Sequence, residues 1–194
     1  MALQTTFDEN MGSAFCGQWY DISDLDAVSR SVEISSIPFG VAVVMGSNDN
    51  QVRLPDHGGY FATLDALDVA TVPAVNKFAG LTVYHSPNPR CDEAALALPV
   101  GSGDLGYLGE TETASVATHG RVYVTAETDV IMGDPVFFRH TLADNAAVPQ
   151  TEQLGALRND ADGALATRIA GAEFMHSALA GELTIVKLTG ATQA

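Results

Sequence analysis

Apolar and polar residues alternate along this chain in short runs punctuated by glycine, proline and asparagine, and the prevailing period is two. Val122 and Val124 alternate with Tyr123 and Thr125, the pattern of a strand with two differently solvated faces. Gly133-Asp134-Pro135 marks a turn, and Val136, Phe137 and Phe138 form a second β-prone run. Residues 120–139 therefore read as a hairpin, two short strands joined by a turn-rich connector, with nothing in it that resembles a reactive site.

Other segments repeat the theme. From Val28, residues Val28, Arg30, Val32 and Ile34 point one way and Ser29, Ser31, Glu33 and Ser35 the other. Pro38 punctuates the chain before Gly40-Val41-Ala42-Val43-Val44, a buried strand by composition. Ser47-Asn48-Asp49-Asn50 is a hairpin-type turn into Val52-Arg53-Leu54-Pro55. Strand character returns at Leu81-Thr82-Val83-Tyr84 and breaks at His85-Ser86-Pro87-Asn88-Pro89, a rigid exposed loop. Residues 142–151 are irregular, residues 164–174 regain order, and Leu183-Thr184-Ile185-Val186-Lys187-Leu188 is the last strand.

Two stretches depart from this alternation. The first fifteen or so residues are polar and aperiodic, which predicts an extended arm, taken here as residues 1–18. Residues 56–77 carry Leu64, Leu67 and Val69 at a poor helical period that Pro73 limits, so they read as a long excursion. The remainder, residues 19–194, is expected to form one all-β domain, a compact β-sandwich or β-barrel of jelly-roll or tulip-like shape. No repeat of 20–50 residues signals a solenoid.

Length and composition agree. A chain of 194 residues that is 46% hydrophobic can bury roughly 70% of its unfolded surface and needs no staples. No apolar run approaches the roughly 20 residues that cross a bilayer, and the start, Met-Ala-Leu-Gln-Thr-Thr-Phe-Asp-Glu, lacks the basic and apolar regions of a signal peptide. Synthesis in the cytoplasm and no membrane partner are expected. Twenty-four acidic against nine basic residues give a formal charge of −15, which repels phosphate backbones and disfavours nucleic acid. The same charge suits docking on a basic patch of a protein partner.

Tests for chemistry come out empty. Cys16 and Cys91 match no metal or redox spacing and are expected to be reduced thiols. The run Gly-Ser-Gly-Asp-Leu-Gly-Tyr-Leu-Gly at 101–109 lacks the Gly-Lys-Ser/Thr ending of a phosphate loop. Asp160-Ala161-Asp162-Gly163 fails as a calcium loop, because Arg158 and Ile169 would occupy the first and twelfth ligand positions; it reads as an Asp-Gly turn. His57, His85, His119, His140 and His176 include no helical zinc pair, and no serine sits in a Gly-x-Ser-x-Gly elbow. No catalytic, cofactor or metal residue is assigned. Trp19 and Tyr20, at the junction of arm and domain, suit either a core plug or an interface.

In order and spacing, a series of segments resembles the structural cement, or head-decoration, proteins of tailed bacteriophages. The series begins with Gln4-Thr5 and Ala14-Phe15-Cys16-Gly17-Gln18, and continues through Ile37-Pro38-Phe39-Gly40-Val41-Ala42-Val43 and Asp49-Asn50-Gln51-Val52-Arg53-Leu54-Pro55. Phe78-Ala79-Gly80-Leu81-Thr82-Val83, Gly120-Arg121-Val122-Tyr123-Val124, Gly133-Asp134-Pro135-Val136-Phe137, residues 155–174 and the last strand complete it. Residues 56–77 depart from it as a longer link.

The resemblance implies a virion protein on the outer capsid surface that ties neighbouring major capsid proteins together and stabilises the head. It implies an arm laid on the capsid protein, with Leu3, Gln4, Thr5, Phe7, Phe15 and Gln18 as capsid-contact candidates. Self-association follows, with a trimer favoured and a dimer possible, and Trp19, Tyr20, Tyr60 and Phe61 as oligomer-contact candidates. The competing readings are a carbohydrate- or host-binding β-sandwich module, which one Trp and 7% aromatics disfavour, another phage head or tail role, and an enzyme, for which no motif speaks.

Overall fold

Thirteen residues of alternating burial, Thr113–Thr125, thread through the whole molecule. The computed structural model in which they lie describes residues 14–33, 37–55, 77–84, 106–107, 112–142 and 153–193, with the backbone alone at 22–24, 106–107 and 191–193. The excursion expected at 56–77 falls, apart from Lys77, outside the described residues, as do loop 85–89 and most of 101–109 and 142–151. The strands are β1 (Trp19–Val32), β2 (Ile37–Pro38), β3 (Ala42–Met45), β4 (Gln51–Arg53), β5 (Phe78–Val83), β6 (Gly106–Tyr107), β7 (Thr113–Thr125), β8 (Pro135–Arg139), β9 (Leu157–Arg158), β10 (Ala166–Phe174) and β11 (Leu183–Gln193). A short 3₁₀ turn, Asp162–Ala164, separates β9 from β10.

The all-β expectation holds, and the sheet is rolled. Its order is β1-β4-β3-β5-β7-β11-β10-β8-β9, and β1 pairs again with β7. That extra pairing closes β1, β4, β3, β5 and β7 into a ring. On the other side, a parallel bridge from Ala126 to Leu157 brings β9 back to the end of β7. Two rolled units thus share one strand, and β2 and β6 form a separate two-stranded sheet.

Each unit has its own core. Val32, Ile37, Phe39, Val41, Val43, Val52, Ala79, Ala114 and Val116 fill the first. The second is built on Val122, Val124, Val136, Phe138, Ile169, Phe174, Val186 and Leu188. The period of two explains how one strand serves both: Val41 and Val43 belong to the first core while Ala42 and Val44 belong to the second. The units meet where Phe78 lies 5.8 Å from Phe138, ring centre to ring centre.

Three expectations need correction or extension. Residues 120–139 are not a hairpin, because β10 and β11 lie between β7 and β8 in the sheet. The local pattern identified two strands correctly but carried no information on which strands pair. The first strand starts at Trp19, well before Val28, and its register with β7 shifts between Trp19 and Asp21, Asp21 and Asp26, and Asp26 and Ala27. Such bulges add residues that break the period of two, which hid the strand from a pattern reading; Val28 is exposed and Val32 buried. The Asp-Gly turn at 160–163 is present, and its acids serve a purpose the sequence did not announce.

Arg139 and Arg158, on the outward face of β8 and β9, are covered by that turn. Arg139 donates from Nε to Glu127 Oε1 at 2.6 Å and from Nη2 to Asp162 Oδ2 at 2.7 Å. Arg158 donates to Asp160 Oδ1 at 2.6 Å and Asp162 Oδ2 at 2.7 Å, and reaches Glu127 Oε2 at 3.4 Å. Only 2% of the Arg139 side chain is exposed, so removing one carboxylate would strand a buried charge. Glu127 lies two residues beyond the end of β7, and its N–H donates to the Leu157 carbonyl at 2.8 Å. The cluster therefore fastens the far edge of the sheet to β7.

These contacts generate three expected outcomes. Gly80 has φ +146, and a Cβ there would sit 2.3 Å from the Ala117 carbonyl oxygen; Gly80→Ala forces β5 and β7 apart, and calorimetry should show Tm lower by roughly 5 °C or more. Glu127→Gln leaves Arg139 underpaired and should cost about 3 kcal/mol in denaturant unfolding. The Arg139 hydrogen bond, with further help from Arg158, holds Asp162 below its ordinary pKa of 3.8. As pH falls the unfolded chain protonates first, so this stabilisation is complete above about pH 5 and is lost as pH drops through the folded pKa. Asp162→Asn should thus lower Tm at pH 7, with the gap to wild type narrowing below pH 3.8.

Candidate interaction surfaces

The segment preceding β1 is fastened to β7. Gly17 N–H donates to the Tyr123 carbonyl at 2.7 Å, Tyr123 N–H to the Gln18 carbonyl at 2.8 Å, and Tyr84 N–H to the Gly17 carbonyl at 2.9 Å. Gly17 and Gly40 pack back to back: a Cβ on Gly17 would sit 2.5 Å from the Phe39 Cβ, and one on Gly40 would meet the Cys16 sulfur. Both have positive φ, +83 and +75, which glycine alone adopts without cost. Residues 14–18 are thereby held against the domain, so the chain preceding them leaves from a defined place.

Of the capsid-contact candidates, Phe15 and Gln18 lie at this root, while Leu3, Gln4, Thr5 and Phe7 fall outside the described residues. Phe15 is exposed and stands edge-on to Tyr84, with centroids 5.1 Å apart. Gln18 turns inward, its Oε1 accepting the Phe15 N–H at 3.3 Å. Of the oligomer-contact candidates, Trp19 packs half-buried against the second core. Tyr20 is exposed and contacts the Tyr123 ring at 5.7 Å. Tyr60 and Phe61 fall outside the described residues.

A feature that the sequence reading passed over lies at the same end of β7. The connector 127–134 and the link between β10 and β11, residues 175–182, bind each other. Val130 and Ala178 exchange backbone hydrogen bonds of 2.9 and 3.1 Å. Val130, 2% exposed, faces the core with Ala178 beside it, so the period of two turns Ile131 and Leu179 outward on one face. Ile131 and Met132 are each 67% exposed and Leu179 62%. A signal was present in the sequence, namely apolar Ile131-Met132 in a turn, but the bridge that brings the Leu179 loop alongside is a tertiary fact.

Carboxylates build these loops. Asp134 Oδ2 accepts the Ile131 N–H at 3.0 Å and the Asn159 Nδ2–H at 2.9 Å. Those two bonds, that from Asn159 first, hold its pKa below 3.8. Asp129 accepts the Ala180 N–H and Glu182 the Leu179 N–H, both at 2.9 Å. Asn159, next to Arg158, also donates to the Asp129 carbonyl at 3.1 Å and accepts from Thr128 at 3.1 Å. The buried arginine cluster and the loops that carry the exposed apolar side chains thus adjoin through the consecutive residues Arg158 and Asn159.

Among the described residues, no group of three or more His, Cys, Asp or Glu is placed to hold a metal ion. The acids at 127, 160 and 162 are occupied by guanidinium groups.

The comparisons with known proteins agree with a binding role. The chain matches the family model described as structural cement protein (E217 gp24/Pam3 gp6) over residues 3–189. Its fold is similar to a chain in the solved capsid of Myoviridae phage XM1, with TM-score 0.60 and 15% identity, covering 97% of this chain and 98% of that one. No curated protein matches it. With nearly its whole length inside that family model, the chain belongs to the phage structural cement protein family and is a capsid-stabilising structural protein of the virion.

Proposed function

We propose that this protein sits on the outer surface of the phage head and ties neighbouring major capsid proteins together through its arm. The observation that carries this reading is the arm root: Gly17 and Gln18 are hydrogen-bonded to Tyr123 of β7 and to Tyr84 just after β5, so the anchor of the arm is fixed to the domain. A segment launched this way loses less orientational freedom on binding than a free tail. Laid along a capsid protein, with Leu3, Gln4, Thr5 and Phe7 in contact and Phe15 at the hinge, it can add a strand to an open sheet edge.

Cementing follows from avidity. A body held at one capsid protein meets the next at high effective concentration, so several weak contacts give a long-lived attachment. Self-contacts extend the same effect. Tyr20 is the described candidate that is exposed, and Tyr60 and Phe61 join it in this reading, with Trp19 as its packing support. A trimer at three-fold and quasi-three-fold points is favoured, and a dimer is the second arrangement. The net charge of −15 favours a basic protein surface and disfavours DNA. No membrane contact and no catalytic activity belong to this reading.

Deletion of residues 1–13 should leave Tm unchanged, because the root contacts remain, and should reduce occupancy on cement-free capsids at least tenfold in co-sedimentation. Equal occupancy would remove the arm from the mechanism. Tyr20→Ser should shift native mass spectra from trimer to monomer at micromolar concentration without changing the fold by circular dichroism.

A further inference from the structure

We propose that Ile131, Met132 and Leu179 form a prebuilt apolar tip that inserts into a basic-rimmed apolar recess of a major capsid protein. The tip would be a second attachment point beside the arm. This rests on the cement reading above and adds a contact site and the chemistry of its partner.

Single exposed apolar side chains are ordinary, but three gathered on braced loops are not. Here two loops that elsewhere in proteins would be polar each present apolar side chains outward. They are tied by the Val130–Ala178 pair, by the Met132 N–H to Ser177 Oγ at 3.1 Å, and by the Gly133 N–H to the Phe174 carbonyl at 2.8 Å. The Gly181 N–H donates to the Ala126 carbonyl at 2.8 Å, and the Ala126 N–H to the Glu182 carbonyl at 3.0 Å. A loop ordered this thoroughly before binding has little conformational entropy left to lose. Met132 adds an adaptable thioether chain suited to filling an imperfect pocket.

Charge selects the partner. Asp129, Asp134 and Glu182 rim the tip, and no lysine or arginine occurs at 127–134 or 175–186. Two tips brought together would set three carboxylates against three, so a second copy of this chain is disfavoured. An apolar recess bordered by Lys or Arg meets both the side chains and the rim.

Position ties the tip to the arm. The arm root bonds to Tyr123, and Val130 lies seven residues further along, a reach of at most about 25 Å. Leu183, also exposed, is opposite Thr125 in the β11–β7 register. Arm root and tip therefore occupy the same end of β7, and a surface that receives one is in reach of the other.

The test compares wild type with the triple variant I131S/M132S/L179S, which keeps every capping carboxylate. Both are titrated onto cement-free capsids of the same phage, with melting curves and sedimentation velocity of the free proteins. Wild type should bind, and the variant should keep its Tm within a few degrees, bind roughly 100-fold more weakly and self-associate as before. Wild-type binding should also weaken as NaCl is raised from 50 to 500 mM. If wild type binds and the variant matches it within threefold, the tip is no capsid contact. Loss of self-association with capsid binding retained would assign the tip to a second copy and overturn the proposal. Failure of wild type itself to bind would sink the cement reading along with it. If the triple variant melts early, Met132→Ser alone should still weaken binding about fivefold, and unchanged binding by that variant overturns the proposal.

Discussion

Strand β7 is the constraint on which the rest of this molecule depends. Its first half is flanked by β5 and β1, its second by β11, and Ala126 just beyond it meets β9. Ala114 and Val116 face one core, whereas Val122 and Val124 face the other. A strand used this way has no spare register. Slipping by one residue would turn both sets of valines to the wrong face at once, and the Gly80 contact with the Ala117 carbonyl holds the neighbouring strand close enough to forbid it.

The second closure depends on charge. Two guanidinium groups and three carboxylates sit where the far edge of the sheet returns to β7. A buried ion cluster adds little net stability over an apolar one of the same shape, but its geometry is unforgiving when one member is lost. Here it also reaches the surface: Asn159 carries the order of the cluster into the loops that present Ile131, Met132 and Leu179. Rigidity at the tip is thus inherited from the core.

A protein that works by holding neighbours in place needs stiffness more than chemistry. The pairing of β1 with β7 closes one roll of the sheet, and residues 17–18 and the Val130–Ala178 loops are both fastened at one end of the shared strand. A net charge of −15 favours repulsion between free copies.

Much of this was legible in the chain itself. Alternation at 122–125 and 183–188, the turn at Ser47-Asn48-Asp49-Asn50 and the ordered series of segments from Gln4 to Leu188 determined an all-β member of a structural family, because side-chain period and turn chemistry are local properties. What only the tertiary structure decided was pairing: that β10 and β11 separate β7 from β8, that the bulged half of β1 is strand at all, that Arg139 and Arg158 share Glu127, and that the loop of Ala178 bridges the loop of Val130. Each of these joins residues distant in sequence, and a period of two says which face a side chain takes but not which strand lies alongside.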